Sequence, residues 1–267
     1  MYLEHWGFKR FPFDNVPDPD FFYLSKPHRE ALTRLIYAVE RGKGCAMLAG
    51  DVGCGKTVLS KVFMEQISDD NKFEVAVVTN PRLSAAEFLQ DVLYKFNANG
   101  VPHGKVELLH MLSEKLADNI HKERKTLLIV DESQLLTRDT LEEIRLLLNL
   151  QHENQFMITV FLLGQPELVQ KVKNMRELEQ RIAIKYALKP FNQEDTTRYI
   201  LFRQKKAGAE KNVFSNRAIE AIYDHTEGLP RSINNLCDMS LLVGYSARKN
   251  TIDSETIQEI IEDGAVL

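Results

Sequence analysis

The stretch Gly50-Asp51-Val52-Gly53-Cys54-Gly55-Lys56-Thr57 constrains this chain more than any other, because it fits G-x-x-x-x-G-K-[ST] at every fixed position. Before it, Gly44 to Ala49 is a short apolar run suited to a buried strand; after it, Val58 to Ile67 repeats apolar residues at helical spacing. The context is therefore strand, loop, helix. Glycines there let successive backbone N–H groups face one anion, and the helix adds the positive end of its dipole. Gly50 through Val58 are thus expected to hold a nucleotide's phosphates. Lys56 is expected to reach the β- and γ-phosphates, and the Thr57 hydroxyl to bind Mg2+.

The 267 residues can form one large domain or two smaller ones. A hydrophobic content of 44% and a net charge of −4 describe an ordinary globular chain, with no basic excess to announce a nucleic-acid partner. Cys45, Cys54 and Cys237 have neither metal-ligand spacing nor an even disulfide set, which fits a reducing compartment. No apolar run approaches the roughly 20 residues of a membrane helix. The first residues show no signal-peptide pattern. A cytoplasmic chain is the expectation.

Along the chain, residues 1–24 set Trp6, Phe8, Phe11, Phe13, Phe21, Phe22 and Tyr23 among Pro12, Pro17 and Pro19, which predicts an irregular arm. Those rings can pack on the domain itself, or wall an adenine pocket or a neighbouring subunit. A helix begins near Ser25 and ends at Gly42; strands are predicted at Phe73–Thr79, Thr126–Val130 and Phe156–Leu163. Helices are predicted from the Ser84–Glu87 capping box to Phe96, over Val106–His121, and over Thr140–Leu150. This alternation predicts a parallel sheet between helices. From about Pro190 the pattern is helical only, over 192–206, 215–226, 230–247 and 253–262. The expected division is 1–189, the arm plus an α/β nucleotide-binding domain, and 190–267, a small helical domain. Lys205-Lys206 with Arg203 reads as a solvated helix end.

Four apolar residues precede Asp131-Glu132, as in a strand buried on both faces whose end delivers two carboxylates. Asp131 is placed to hold Mg2+, and Glu132 to orient and deprotonate water for attack on the γ-phosphate. The guanine-reading tetrad Asn-Lys-x-Asp is absent from the sequence, so ATP is expected.

Further motifs carry a resemblance. The arm's Pro12-Phe13, Pro17-Asp18-Pro19 and Phe22-Tyr23-Leu24-Ser25, the run Leu127 to Leu136 (LLIVDESQLL), Leu162 to Leu168, Leu178 to Ile182, and Gly228 to Asn234 resemble the ATPase domain of general secretion pathway protein A, the ExeA-type branch of AAA+ ATPases. The resemblance covers essentially the whole chain. It implies a P-loop fold with a five-stranded parallel sheet and a helical lid. It also implies that Gln165 occupies the sensor-1 position, where many relatives have Asn, that Arg181 is an arginine finger acting in a neighbouring subunit's site, and that Arg231 is the lid's sensor-2 arginine. Arg176 is a weaker candidate for the finger. A trans-acting finger requires a homo-oligomer, such as an ATP-dependent ring. In that family the domain is the cytosolic part of an inner-membrane protein, works with a B-type partner and assembles the type II secretin. The resemblance therefore implies assembly of a secretion or pilus apparatus. The alternative is an ATP-gated oligomeric scaffold on DNA, of the transposition-helper type.

Overall fold

The computed structural model describes residues 2–68 and 72–264; Met1 and Leu267, the outer limits of the expected division, lie outside them. The elements in chain order are α1 (Leu3–Trp6), α2 (Lys26–Glu40), β1 (Cys45–Gly50), α3 (Lys56–Ser68), β2 (Phe73–Val78), α4 (Ala85–Lys95), α5 (Lys105–His121) and β3 (Lys125–Val130). There follow α6 (Arg138–Leu147), β4 (Gln151–His152), β5 (Gln155–Phe156), β6 (Thr159–Gly164), α7 (Glu167–Lys173), α8 (Arg176–Arg181) and β7 (Ile182–Leu188). Four helices close the chain: α9 (Gln193–Lys206), α10 (Asn216–Thr226), α11 (Pro230–Ser246) and α12 (Ser254–Glu262).

The chain divides into two compact units. One comprises Pro27–Asp51 and Ser60–Leu188; the other comprises Met1–Lys26, Val52–Leu59 and Lys189–Leu267. In the first, β2-β3-β6-β1-β7 form a five-stranded sheet whose pairings are all parallel. Every residue of β1 and β6 is buried, and so is every residue of β3 after Lys125. Helices on both faces of a parallel sheet require this, since its strands have no solvated side. Phe88, Leu89, Val92 and Leu93 of α4 and Leu108, Leu112 and Leu116 of α5 seal one core against Leu128 and Val130. The Ser84 capping box forms as expected, and Thr137 caps α6.

Two features of this unit depart from the sequence pattern. The strand expected over Phe156–Leu163 is split, because Glu153 and Asn154 both have positive φ (46° and 64°) and turn β4 into β5 as a tight hairpin. Phe156 belongs to that hairpin, and β6 starts only at Thr159. The short helices α7 and α8 are too brief to establish a periodicity.

The other unit is the arm together with the C-terminal helices. Tyr2, Trp6, Phe8, Phe13 and Phe21 are buried in one core with Phe191, Tyr199, Ile233 and Leu241. The Trp6 indole N–H donates to the Leu241 carbonyl at 2.9 Å. The expected division at residue 189 therefore separates an arm from the helices it packs with, since its rings and theirs form one core. Arg203 also departs from the solvated-end reading. It is 7% exposed, donates to Pro12 O at 2.5 Å and Asp14 O at 2.7 Å, and stacks on Phe21, whereas Lys205 and Lys206 are exposed. Asn192, Ser215 and Asp253 cap α9, α10 and α12, and Pro230 opens α11.

Candidate functional site: a phosphate loop and an acidic strand end

Parallel strands share one polarity, so β1, β3 and β6 end at the same edge of the sheet. There β1 delivers Gly50-Asp51, β3 delivers Asp131-Glu132, and Gln165 follows β6. β6 alone separates β3 from β1, which sets the loop entry and the carboxylates about 10 Å apart. That edge is where open α/β sheets bind ligands.

Gly50 admits no side chain, since a Cβ there would lie 2.7 Å from the Leu188 carbonyl oxygen of β7. In the other unit, Gly53 and Gly55 have φ of +87° and +91°, and α3 begins immediately at Lys56. Left-handed glycines followed by a helix start turn several N–H groups inward, the geometry that cradles phosphate. Lys56 is 6% exposed, a burial that an ammonium tolerates only beside acceptors or anions. Thr57 and Val58 are half-buried in the first turn, and Cys54 is buried. Val52 is exposed, as is Asp51.

Within the same unit, Arg231 stands in the first turn of α11 against the loop: a Cβ on Gly53 would lie 2.7 Å from the Arg231 Cβ. The structure thus brings the expected sensor-2 arginine to the phosphate loop.

Asp131 is 6% exposed, and its Oδ1 accepts from the Glu132 N–H at 2.9 Å. Glu132 is half-buried with φ +52°, ψ +35°, a left-handed conformation uncommon for a residue with a Cβ. Its Oε2 accepts from Gln134 Nε2 at 2.5 Å, and Gln165 Nε2 lies 3.4 Å away. Glu132 and Gln165, far apart in sequence, therefore meet. The motif does not single out Gln134; the signal available is a long amide two residues after Glu132, just before the apolar Leu135-Leu136.

Arg181 is not brought to this edge. It ends α8 immediately before β7, whose first residue Ile182 pairs with Cys45 at the start of β1, roughly 17–20 Å along the strands from Gly50. Its Nη1 donates to the Leu148 carbonyl at 3.2 Å. Arg176, at the start of α8, is exposed. All three cysteines are buried thiols outside any disulfide; burial pushes the Cys45 thiol up to about 12, which suits core packing.

A glycine turn opening a helix and an acidic end on the second strand over, in a 2-3-6-1-7 parallel sheet, define a P-loop ATPase of the AAA+ class. The chain belongs to the AAA domain family, whose model matches residues 39–172. It is 33% identical over 258 residues to general secretion pathway protein A of Aeromonas hydrophila, covering 94% of this chain and 46% of that protein. It is 25% identical over 145 residues to the ATP-dependent target DNA activator B of Escherichia phage Mu, covering 54% of this chain and 44% of that protein. The chain thus spans about half the length of the curated relatives it matches. Its fold is also that of the Aeropyrum pernix ORC2 protein solved in ADPNP-ADP complexes, with a TM-score of 0.70 at 18% identity over 95% of this chain and 71% of that one.

Proposed function

We propose that this chain is a Mg2+-dependent ATPase whose turnover drives assembly of a bacterial secretion or pilus apparatus. The observation that carries the site reading is the common edge of β1, β3 and β6, where Gly50-Asp51, Asp131-Glu132 and Gln165 follow their strands. Gly50 to Val58 hold the phosphates, and Lys56 neutralises charge on the β- and γ-oxygens. Thr57 and Asp131 are the residues that would hold Mg2+, which when bound would supply neutralisation of the phosphates' negative charge. The donor set fits that ion: the strand end offers the Asp131 carboxylate, and Mg2+ in nucleotide sites takes one or two carboxylates beside phosphates and waters. Glu132 takes the proton of the attacking water, Gln165 orients that water, and Arg231 reaches the γ-phosphate in the same chain.

Arg181 lies too far along the strands to act in its own site, so its finger role belongs to a neighbouring copy, and a homo-oligomer is part of the proposal. The lid is taken as 190–267 with the arm packed on it. Identity to the secretion protein over 94% of the chain supports the secretion role and a B-type partner. Among the described residues no helix is long and apolar enough to cross a membrane, and the proposed placement is the cytoplasmic side of the inner membrane. Identity to the phage activator favours a second reading, an oligomeric scaffold on DNA.

The test is ATP hydrolysis per mole of protein across a wide protein concentration range with Mg2+ saturating. Specific activity rising with concentration, and lost in Arg181→Ala, supports sites completed between subunits. A flat, measurable rate from a chain that sizes as a monomer overturns the trans finger. Duplex binding that falls steeply with salt would favour the DNA reading.

A further inference from the structure

Gln134 occupies the short 3-10 turn Ser133–Leu135 that follows β3, and only 9% of it is exposed. Both ends of its amide are committed. Nε2 donates to Glu132 Oε2 at 2.5 Å, while Oε1 accepts from the Gln165 backbone N–H at 3.1 Å. The amide is therefore a bridge between the carboxylate after β3 and the backbone after β6. Its seat is tight: a Cβ on Gly164 would lie 3.1 Å from Gln134 Oε1 and 3.2 Å from Gln134 N. The turn is also pinned from two sides. Ser133 Oγ donates to Val130 O at 2.7 Å, and Lys171 of α7 donates to the carbonyls of Gln134 and, at 3.0 Å, of Leu136.

Neither amide can accept a proton at neutral pH, so the contribution of this pair to proton transfer is geometric. Both donors approach Oε2, so the two amides fix the carboxylate through one oxygen and leave Oε1 out of the tether. An untethered glutamate samples several rotamers, and a base displaced by about 1 Å can lose on the order of 100-fold in rate. A glutamine serving only to fill the turn needs backbone partners alone; this one spends its donor on the carboxylate.

We propose that Gln134 is a positioning residue that ties the Glu132 carboxylate to the end of β6, so that turnover of bound ATP depends on its amide. The proposal rests on the reading of Glu132 as the base.

The test compares Gln134→Met, Glu132→Gln and the double variant in the full chain. It measures kcat, KM, affinity for a non-hydrolysable ATP analogue, and thermal melting. Methionine keeps the volume and removes both hydrogen bonds. The expected result is a kcat lowered about 10- to 100-fold with KM and analogue affinity within about twofold of wild type. The double variant should turn over no more slowly than Glu132→Gln alone, because the tether acts through that carboxylate. Should Gln134→Met fail to fold, Gln134→Glu keeps the acceptor towards Gln165 and sets a second carboxylate against Glu132; it should lose at least as much kcat. Gln134→Met retaining kcat within twofold while Glu132→Gln is inactive overturns the tether and spares the base. Strictly multiplicative losses in the double variant overturn it as well. Wild-type turnover by Glu132→Gln removes the base reading itself, and the tether with it.

Discussion

Gly53→Ala should uncouple the phosphate loop from the start of α11, and the size of the effect follows from two contributions. The first is backbone strain: φ at 53 is +87°, and a Cβ in the left-handed region costs about 1–2 kcal/mol. The second is steric. The new methyl would sit 2.7 Å from the Arg231 Cβ, about 1 Å inside an ordinary carbon–carbon contact, and that Cβ is fixed to the backbone. Overpacking of this kind costs about 1–3 kcal/mol, so the total is about 2–5 kcal/mol. Urea unfolding of the nucleotide-free chain and titration with a non-hydrolysable ATP analogue should between them register that sum. If it falls wholly on binding, the lower bound alone is roughly a 30-fold loss of affinity. Gly100→Ala is the control, since φ there is +66° with nothing within 4 Å of the new Cβ, and strain alone should appear. Arg231→Gly removes the clashing atom, so the Gly53→Ala/Arg231→Gly double variant should recover the steric part as a coupling of about 1–3 kcal/mol. Additive losses, or a Gly53→Ala chain that melts and binds like Gly100→Ala, would refute the close approach of loop and helix.

Lys56→Ala should abolish ATP binding, whereas Glu132→Gln should bind the analogue normally and lose turnover; equilibrium binding beside steady-state hydrolysis separates the two. Arg203→Ala strips the donors from the Pro12 and Asp14 carbonyls and the cation from the Phe21 face, and should cost about 3–5 kcal/mol in urea unfolding; a loss below about 1 kcal/mol would mean the arm is held by its rings alone. Asp253 accepts from the Thr256 N–H and hydroxyl, with Lys249 adding to the effect, and its carboxyl is held down at about 2 from an ordinary 3.8. A depressed folded value gives stability that is full above about pH 3.8 and is lost as pH falls towards 2. With 48% of the side chain exposed, solvent screening keeps this below about 1 kcal/mol, and Asp253→Asn should keep the cap while flattening that acid dependence in thermal melts.

What could be read from the residues, and what could not, divides along a physical line. Phosphate chemistry fixes residue types at fixed offsets, so Gly50 to Thr57 declared themselves, and double burial wrote β1 and β3 as unbroken apolar runs. β7 was harder: along Ile182–Leu188 its burial alternates, as suits an edge strand, and only the resemblance supplied a fifth strand. The arm's rings showed that they must be buried without showing where, because their partners Phe191, Tyr199 and Leu241 lie some 170 to 235 positions away. Arg203 looked like surface charge beside Lys205 and Lys206; no periodicity reveals that two arm carbonyls wait for its guanidinium. Gln134 is the same case at the site. A buried amide is recognisable as polar, but its function depends on a donor at 165 and a carboxylate at 132 that only the sheet order brings together. Strand polarity also constrains Arg181 in a way no motif could. Residues at the starts and ends of parallel strands face opposite edges of the sheet, so the arginine preceding β7 and the carboxylates following β3 lie at opposite edges. The proposed finger role of Arg181 therefore requires a second copy of the chain.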